Sequence, residues 1–224
     1  MNISRLTLAA VLSTLLISTS SCIIHVNGQG DKPDKSSVFG GFDIAEDRQV
    51  GDLSSVNGEI ELQNGVIAND VSTVNGGIKL GKNVQVSDVS TVNGSIKVKE
   101  NLNALGDIST VNGSIELLEN SKVSGDLSTV NGDIVILDTQ VSGDIETTNG
   151  DITLTLNTIV AGDIIFESTN DDSWWDKEDK NNDRTPPTLT IDGSSVVEGK
   201  IILERKVILN IENANLLKKV EERF

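Results

Sequence analysis

The chain has 224 residues, a formal net charge of −16 and a sequence pI near 4.3, and neither Lys nor Arg gathers into a basic patch. Nucleic-acid backbones and anionic lipid headgroups are therefore repelled, and no nucleic-acid partner is expected. Aromatics make up 3% of the residues and Tyr is absent, which excludes a large core built on aromatic anchors. Val, Ile and Leu supply the apolar content instead and suit pleated, half-buried surfaces, so the fold expected is all-β.

Residues 1–21 read as an export signal: Arg5, an apolar stretch from Leu6 to Ile17, then the small residues Ser18 to Ser21. The stretch is too short and too interrupted for a comfortable membrane span. Cys22 is the only cysteine, so it has no internal disulfide partner. Its place after Ser20 and Ser21 resembles the acylation site of bacterial lipoproteins, although Thr19 stands where Leu is usual; a plain secretory signal is the alternative. The resemblance implies lipidation at Cys22, a membrane partner through that lipid anchor, and, with Ile23 rather than Asp following, an outer-membrane lipoprotein of the bacterial envelope. Residues 22–37, carrying Gly28, Gly30, Asp31, Pro33 and Asp34 without periodicity, read as a flexible tether.

Residues 38–212 read as a β-solenoid, and between residues 52 and 163 one phrase recurs seven times. DLSSVNGEIEL, DVSTVNGGIKL, DVSTVNGSIKV, DISTVNGSIEL, DLSTVNGDIVI, DIETTNGDITL and a variant opening DIIFESTN begin at Asp52, Asp70, Asp88, Asp107, Asp126, Asp144 and Asp163, in steps of 18 or 19 residues. A fixed period of this size is the signature of stacked repeats. In the unit Asp107 to Gly125, the aliphatics Ile108, Ile115, Leu117 and Val123 form the inward set. Turn residues at Asn112-Gly113, Asn120-Ser121 and Ser124-Gly125 divide the unit into three extended runs. Three runs per coil predict a single-stranded, roughly triangular parallel β-helix. Asn-Gly between aliphatics is also a hairpin signal, and a chain of antiparallel hairpins is the rival arrangement. Identical residues recurring column by column favour stacked coils, about eight of them, in a rod on the order of 40 Å long.

Asn57, Asn75, Asn93, Asn112, Asn131 and Asn149, each followed by Gly, predict a structural amide ladder, with the glycines supplying a positive φ at the corner. Asp52, Asp70, Asp88, Asp107, Asp126, Asp144 and Asp163 make a second column. Like charges in a row must be solvated, hydrogen-bonded to turn amides or neutralised by a cation; turn capping is the simpler reading, and calcium is the cofactor such a column would take. Ser54, Ser72, Ser90, Ser109 and Ser128 beside Ser55, Thr73, Thr91, Thr110, Thr129 and Thr147 loosely resemble the hydroxyl arrays of ice-binding β-helices, which need two outward threonines separated by one residue.

An acidic insertion at about residues 170–187 interrupts the solenoid, since IVAGD at Ile159 and VVEGK at Val196 are 37 residues apart, one coil plus 18. It carries the only tryptophans, Trp174 and Trp175. They are the candidate binding residues for a glycan or an envelope protein, or else they fold back onto the solenoid flank. Residues 213–224 space Leu216, Leu217, Val220 and Phe224 at helix-like intervals and read as a short amphipathic cap over the last coil.

Runs such as VSGDLSTVNGDIVI and VSGDIETTNGDITL resemble the bacterial adhesin repeat domain, a β-solenoid family, over about residues 50–170. The later LTIDGSSVVEGKII is similar to bactofilins, the polymer-forming β-helices. Both resemblances imply a parallel β-helix and neither brings catalytic residues. The function expected is a non-enzymatic, adhesin-like or scaffold lipoprotein, with self-association into a bactofilin-like polymer as the alternative. A polysaccharide-active β-helix enzyme is disfavoured, because the acids repeat monotonously and the one histidine, His25, lies in the tether.

Overall fold

The computed structural model describes residues 32–168 and 185–224; the stretch 1–21 expected to be an export signal, Cys22, His25 and both tryptophans lie outside them. Every strand pairing is parallel and joins successive coils, so the chain is an all-β, single-stranded parallel β-helix with three sheets. The hairpin arrangement is excluded. A first sheet of ten strands runs from Lys35–Phe39 through Ile108–Asn112 to Val220–Glu222. A second sheet of nine begins at Phe42–Ile44 and ends at Ile208–Ile211, and a third of six runs from Gln85–Val86 to Val196–Val197.

The model unit shows why the chain coils. Ile108–Asn112 alternates inward and outward residues, Ile115–Leu117 does the same on the next face, and Ser121–Val123 closes the triangle. Ile108, Ile115, Leu117 and Val123 are all fully buried. They touch their counterparts in the coils on both sides, forming one continuous aliphatic core. Burying each such side chain is worth about 1.5–3 kcal/mol, but only while a neighbouring coil covers it.

The inward hydroxyls have a separate task. Ser55, Thr73, Thr91, Thr110 and Thr129 are buried, and their Oγ atoms donate to the carbonyls of Gly40, Gly58, Gly76, Gly94 and Gly113 at 2.9–3.0 Å. Each side chain thus ties its strand to the corner of the coil below. The series ends at Thr147, whose buried Oγ1 has no partner among the described residues. Because the threonines face inward, the outward pair on this sheet is Ser with Val, and the two-threonine array of ice-binding β-helices is not formed.

The corner glycines are required for a different reason from the one expected. Of all the glycines described, only Gly40 and Gly65 have positive φ, so Gly58, Gly76, Gly94, Gly113, Gly132 and Gly150 do not serve that purpose. A Cβ on Gly113 would lie 2.0 Å from the Gly94 carbonyl oxygen, and one on Gly76 would lie 2.1 Å from that of Gly58. Stacked backbones at this corner approach too closely for any side chain. Positive φ belongs to the next corner, in register at Asp47, Gly65, Asn83, Asn101, Asn120, Asp138 and Leu156, with Asn157 beside the last; all but Leu156 are residues that tolerate the left-handed region.

Three boundaries differ from composition. The stack starts at Lys35, because Lys35, Ser36 and Ser37 pair in register with Leu53, Ser54 and Ser55, so these tether residues belong to the first coil. The insertion leaves between Ile164–Phe166 and Thr188–Ile191, and the coils resume in register, with Ile164 opposite Ile201 and Val160 opposite Val197. At the C-terminus there is a single 3₁₀ turn, Leu216–Lys219, rather than an amphipathic helix; Val220–Glu222 then adds a last strand beside Ile201–Leu203. Leu216 alone is buried at the end of the core, while Leu217 and Phe224 are exposed. A parallel strand satisfies the open edge of the first sheet, which a helix would leave bare.

Candidate functional site

Two of the predicted columns form as expected. Nδ2 of Asn75, Asn93, Asn112, Asn131 and Asn149 donates to Oδ1 of the asparagine one coil earlier at 2.9–3.1 Å, and Asn57 donates to the Val38 carbonyl at 3.3 Å. The ladder ends on Arg205, whose guanidinium donates to Asn149 Oδ1 at 2.8 Å and to the Thr148 carbonyl at 2.7 Å. Arg205 stands where the next asparagine would fall after Ser168, counting the 37-residue step. That alignment was the available signal for it, and it closes the amide column just above the insertion.

The aspartates cap turns. Oδ1 of Asp88, Asp107, Asp126 and Asp144 accepts the backbone N–H of the next aspartate in the column at 2.7–2.9 Å, and Asp163 accepts that of Lys200 at 2.7 Å. The glycine before Asp107, Asp126, Asp144 and Asp163 makes room for this contact: a Cβ on Gly106 would lie 1.8 Å from Asp88 Oδ1. Where Ser87 replaces that glycine, the Asp70 Oδ1 to Asp88 N–H bond stretches to 3.4 Å. Asp70 is pushed above its ordinary value, by burial first and by the charges of Asp88 and Asp52, against the lowering effect of the Asp88 amide. Among the described residues, no group of three or more His, Cys, Asp or Glu side chains converges to hold a metal ion.

Where the insertion departs, an acidic corner replaces the repeat. Glu146 takes the place that Ser54, Ser72, Ser90, Ser109 and Ser128 fill in earlier coils, in register with Ser128 below and Ile165 above. Thr148 Oγ1 donates to Glu167 Oε2 at 3.1 Å, and the Ser168 amide donates to Glu204 Oε2 at 3.3 Å. Burial, with the charges of Glu167, Asp126, Asp144 and Glu204, pushes the Glu146 carboxyl up to about 7. The break from DLST to DIET was its sequence signal.

A raised carboxyl pKa means that the folded state holds this proton more tightly than the unfolded chain does. Stability contributed by Glu146 is therefore greatest below its ordinary value of 4.5, declines as pH rises from there to about 7, and stays low above. Glu146→Gln is expected to raise stability by about 1 kcal/mol at pH 8, after discounting for solvent screening, with the gain vanishing near pH 4. Urea midpoints of the two proteins at both pH values check it; a gain that persists at pH 4 contradicts the assignment.

The outward face of the first sheet is the second feature of note. Ser36, Ser54, Ser72, Ser90, Ser109 and Ser128 are aligned coil upon coil. Two residues along each strand come Val38, Val56, Val74, Val92, Val111 and Val130, also facing outward, with Val74 and Val92 each 40% exposed. The serine column was visible in the sequence. Its pairing with valine follows from strand alternation about the inward Ile108, which turns Ser109 and Val111 outward and Thr110 inward.

Among the described residues, no helix is long and apolar enough to cross a membrane. Comparison with family models, curated proteins and solved structures finds no match.

Proposed function

We propose that the chain is a non-enzymatic envelope lipoprotein, anchored through Cys22, whose rod displays contact surfaces in an adhesin-like or scaffold role. The unbroken register of parallel coils from Lys35 to Glu222 carries this reading. A stack stapled by an aliphatic core, an amide ladder and an aspartate column holds its outward residues at fixed spacing, which is what a spacer or display surface needs. The Trp174–Trp175 insertion is the second contact element of the proposal, rooted at the acidic corner.

Polymerisation is the alternative, and the C-terminal end argues against it. Lys219 Nζ donates to the carbonyls of Val197 and Glu198 at 2.8 and 2.7 Å, occupying acceptors at the end of the last strand of the third sheet and just beyond it. Leu216 fills the end of the core. Another coil arriving there would have to displace both.

The anchor is tested by metabolic lipid labelling with cell fractionation. Wild type is expected to take up label and sediment with membranes, whereas Cys22→Ala takes up none and moves to the soluble fraction. An unlabelled wild type, or a Cys22→Ala protein that stays with membranes, overturns the reading.

A further inference from the structure

We propose that the serine–valine face of the first sheet is a docking strip for an extended, uncharged polysaccharide chain lying along the rod axis. The inference rests on the display role above and names the class of ligand for one face. It starts from a comparison among the three outward faces. On the second sheet the outward residues change from coil to coil, from Asp43 and Glu61 to Lys79, Lys97, Glu116 and Val135. On the third they change likewise, through Gln85, Asn103, Lys122, Gln140 and Ile159. Only the first sheet repeats the same outward pair, Ser with Val, for six coils. Core packing does not impose this, because these side chains point away from the core.

Charge selects the ligand. In a chain of net charge −16, the serine and valine positions of six successive coils carry no ionisable side chain, so the strip has no charge of its own with which to pair a charged ligand, and its acidic surroundings repel anions. A hydroxyl column beside a methyl column matches a sugar chain, whose ring C–H groups are apolar and whose edges carry hydroxyls. The strip is bordered by the aspartate column on one side and the asparagine ladder on the other, both hydrogen-bonding groups suited to sugar hydroxyls. From Ser36 to Ser128 it extends about 24 Å at about 4.8 Å per coil, so equivalent weak contacts recur along a polymer.

A second copy of the chain fits less well. The strip offers roughly 400 Å² per partner against the roughly 800 Å² of a stable interface, and two acidic rods repel.

The test is retention of the purified full chain on microcrystalline cellulose, an uncharged linear glucan. The strip variant carries Val74→Lys, Val92→Lys and Val111→Lys; a charge-matched control carries Gln85→Lys, Asn103→Lys and Gln140→Lys on the third sheet. Melting temperatures verify that both fold. Wild type and control are expected to be retained equally and the strip variant at least tenfold less. Failure of wild type to bind, or equal retention of the strip variant, overturns the proposal. So does wild-type shaping of ice crystals without cellulose retention, which would assign the face to ice, or a wild-type dimer that the strip variant abolishes. Retention lost in Trp174→Ala plus Trp175→Ala, but kept in the strip variant, moves the glycan to the insertion. Lipid labelling that still depends on Cys22 shows that such a failure is confined to the strip.

Discussion

Gly76→Ala is expected to destabilise the stack by about 3 kcal/mol, whereas Gly77→Ala, one residue along, stays within about 0.5 kcal/mol of wild type. The two glycines are adjacent and chemically identical; only their neighbours differ. A Cβ on Gly76 would lie 2.1 Å from the Gly58 carbonyl oxygen and 2.5 Å from its carbon, with backbone on the other side of the contact. Coils spaced by about 4.8 Å cannot separate at one corner without losing ladder hydrogen bonds at the same level. On Gly77 the nearest atom is the Ser95 carbonyl oxygen at 3.2 Å, which a small shift accommodates, and the alanine restricts the unfolded chain. Chemical denaturation of both variants measures the contrast. Equal effects at the two positions would mean that the corner tolerates a side chain and that coil spacing is looser than described.

The second large effect lies in the core. Ile115→Ala is expected to cost about 2–5 kcal/mol, because Ile115 is fully buried between Ile96 and Ile134 and its removal leaves a cavity that coils on either side hold open. Val92→Ala, on the outward face and 40% exposed, is expected to change stability by no more than about 0.5 kcal/mol. The comparison sets a core-facing residue of the second sheet against an outward residue of the first, both aliphatic and in adjacent coils. If the outward valine proves the costlier, inward and outward assignments on the first sheet are reversed.

The columns are legible in the sequence because each carries one residue type at one period: Ile108, Ile115 and Leu117 for the core, Asn112 and its equivalents for the ladder, Asp107 and its equivalents for the caps. What was not legible depended on distances between coils. The glycine after Asn112 suggested positive φ, yet its constraint is a carbonyl in another coil, which no local pattern reveals. Ser109-Thr110, by contrast, offered two hydroxyls in succession with a local signal to separate them: alternation from the inward Ile108 turns Thr110 inward and Ser109 outward. Arg205 reaches back 56 residues to Asn149, a pairing that becomes visible only after the insertion is subtracted. At the C-terminus, helix-like spacing competed with an open sheet edge, and the edge prevailed from Val220 onward.

The stacked register is tested most directly by through-hydrogen-bond scalar couplings in an isotopically labelled sample. The account predicts couplings from the Gly113 amide to the Asn131 carbonyl, from Gly94 to Asn112 and from Gly132 to Asn149, each linking one coil to the next. Couplings confined within single repeats, pairing each strand with the other half of its own Asn-Gly phrase, would contradict it.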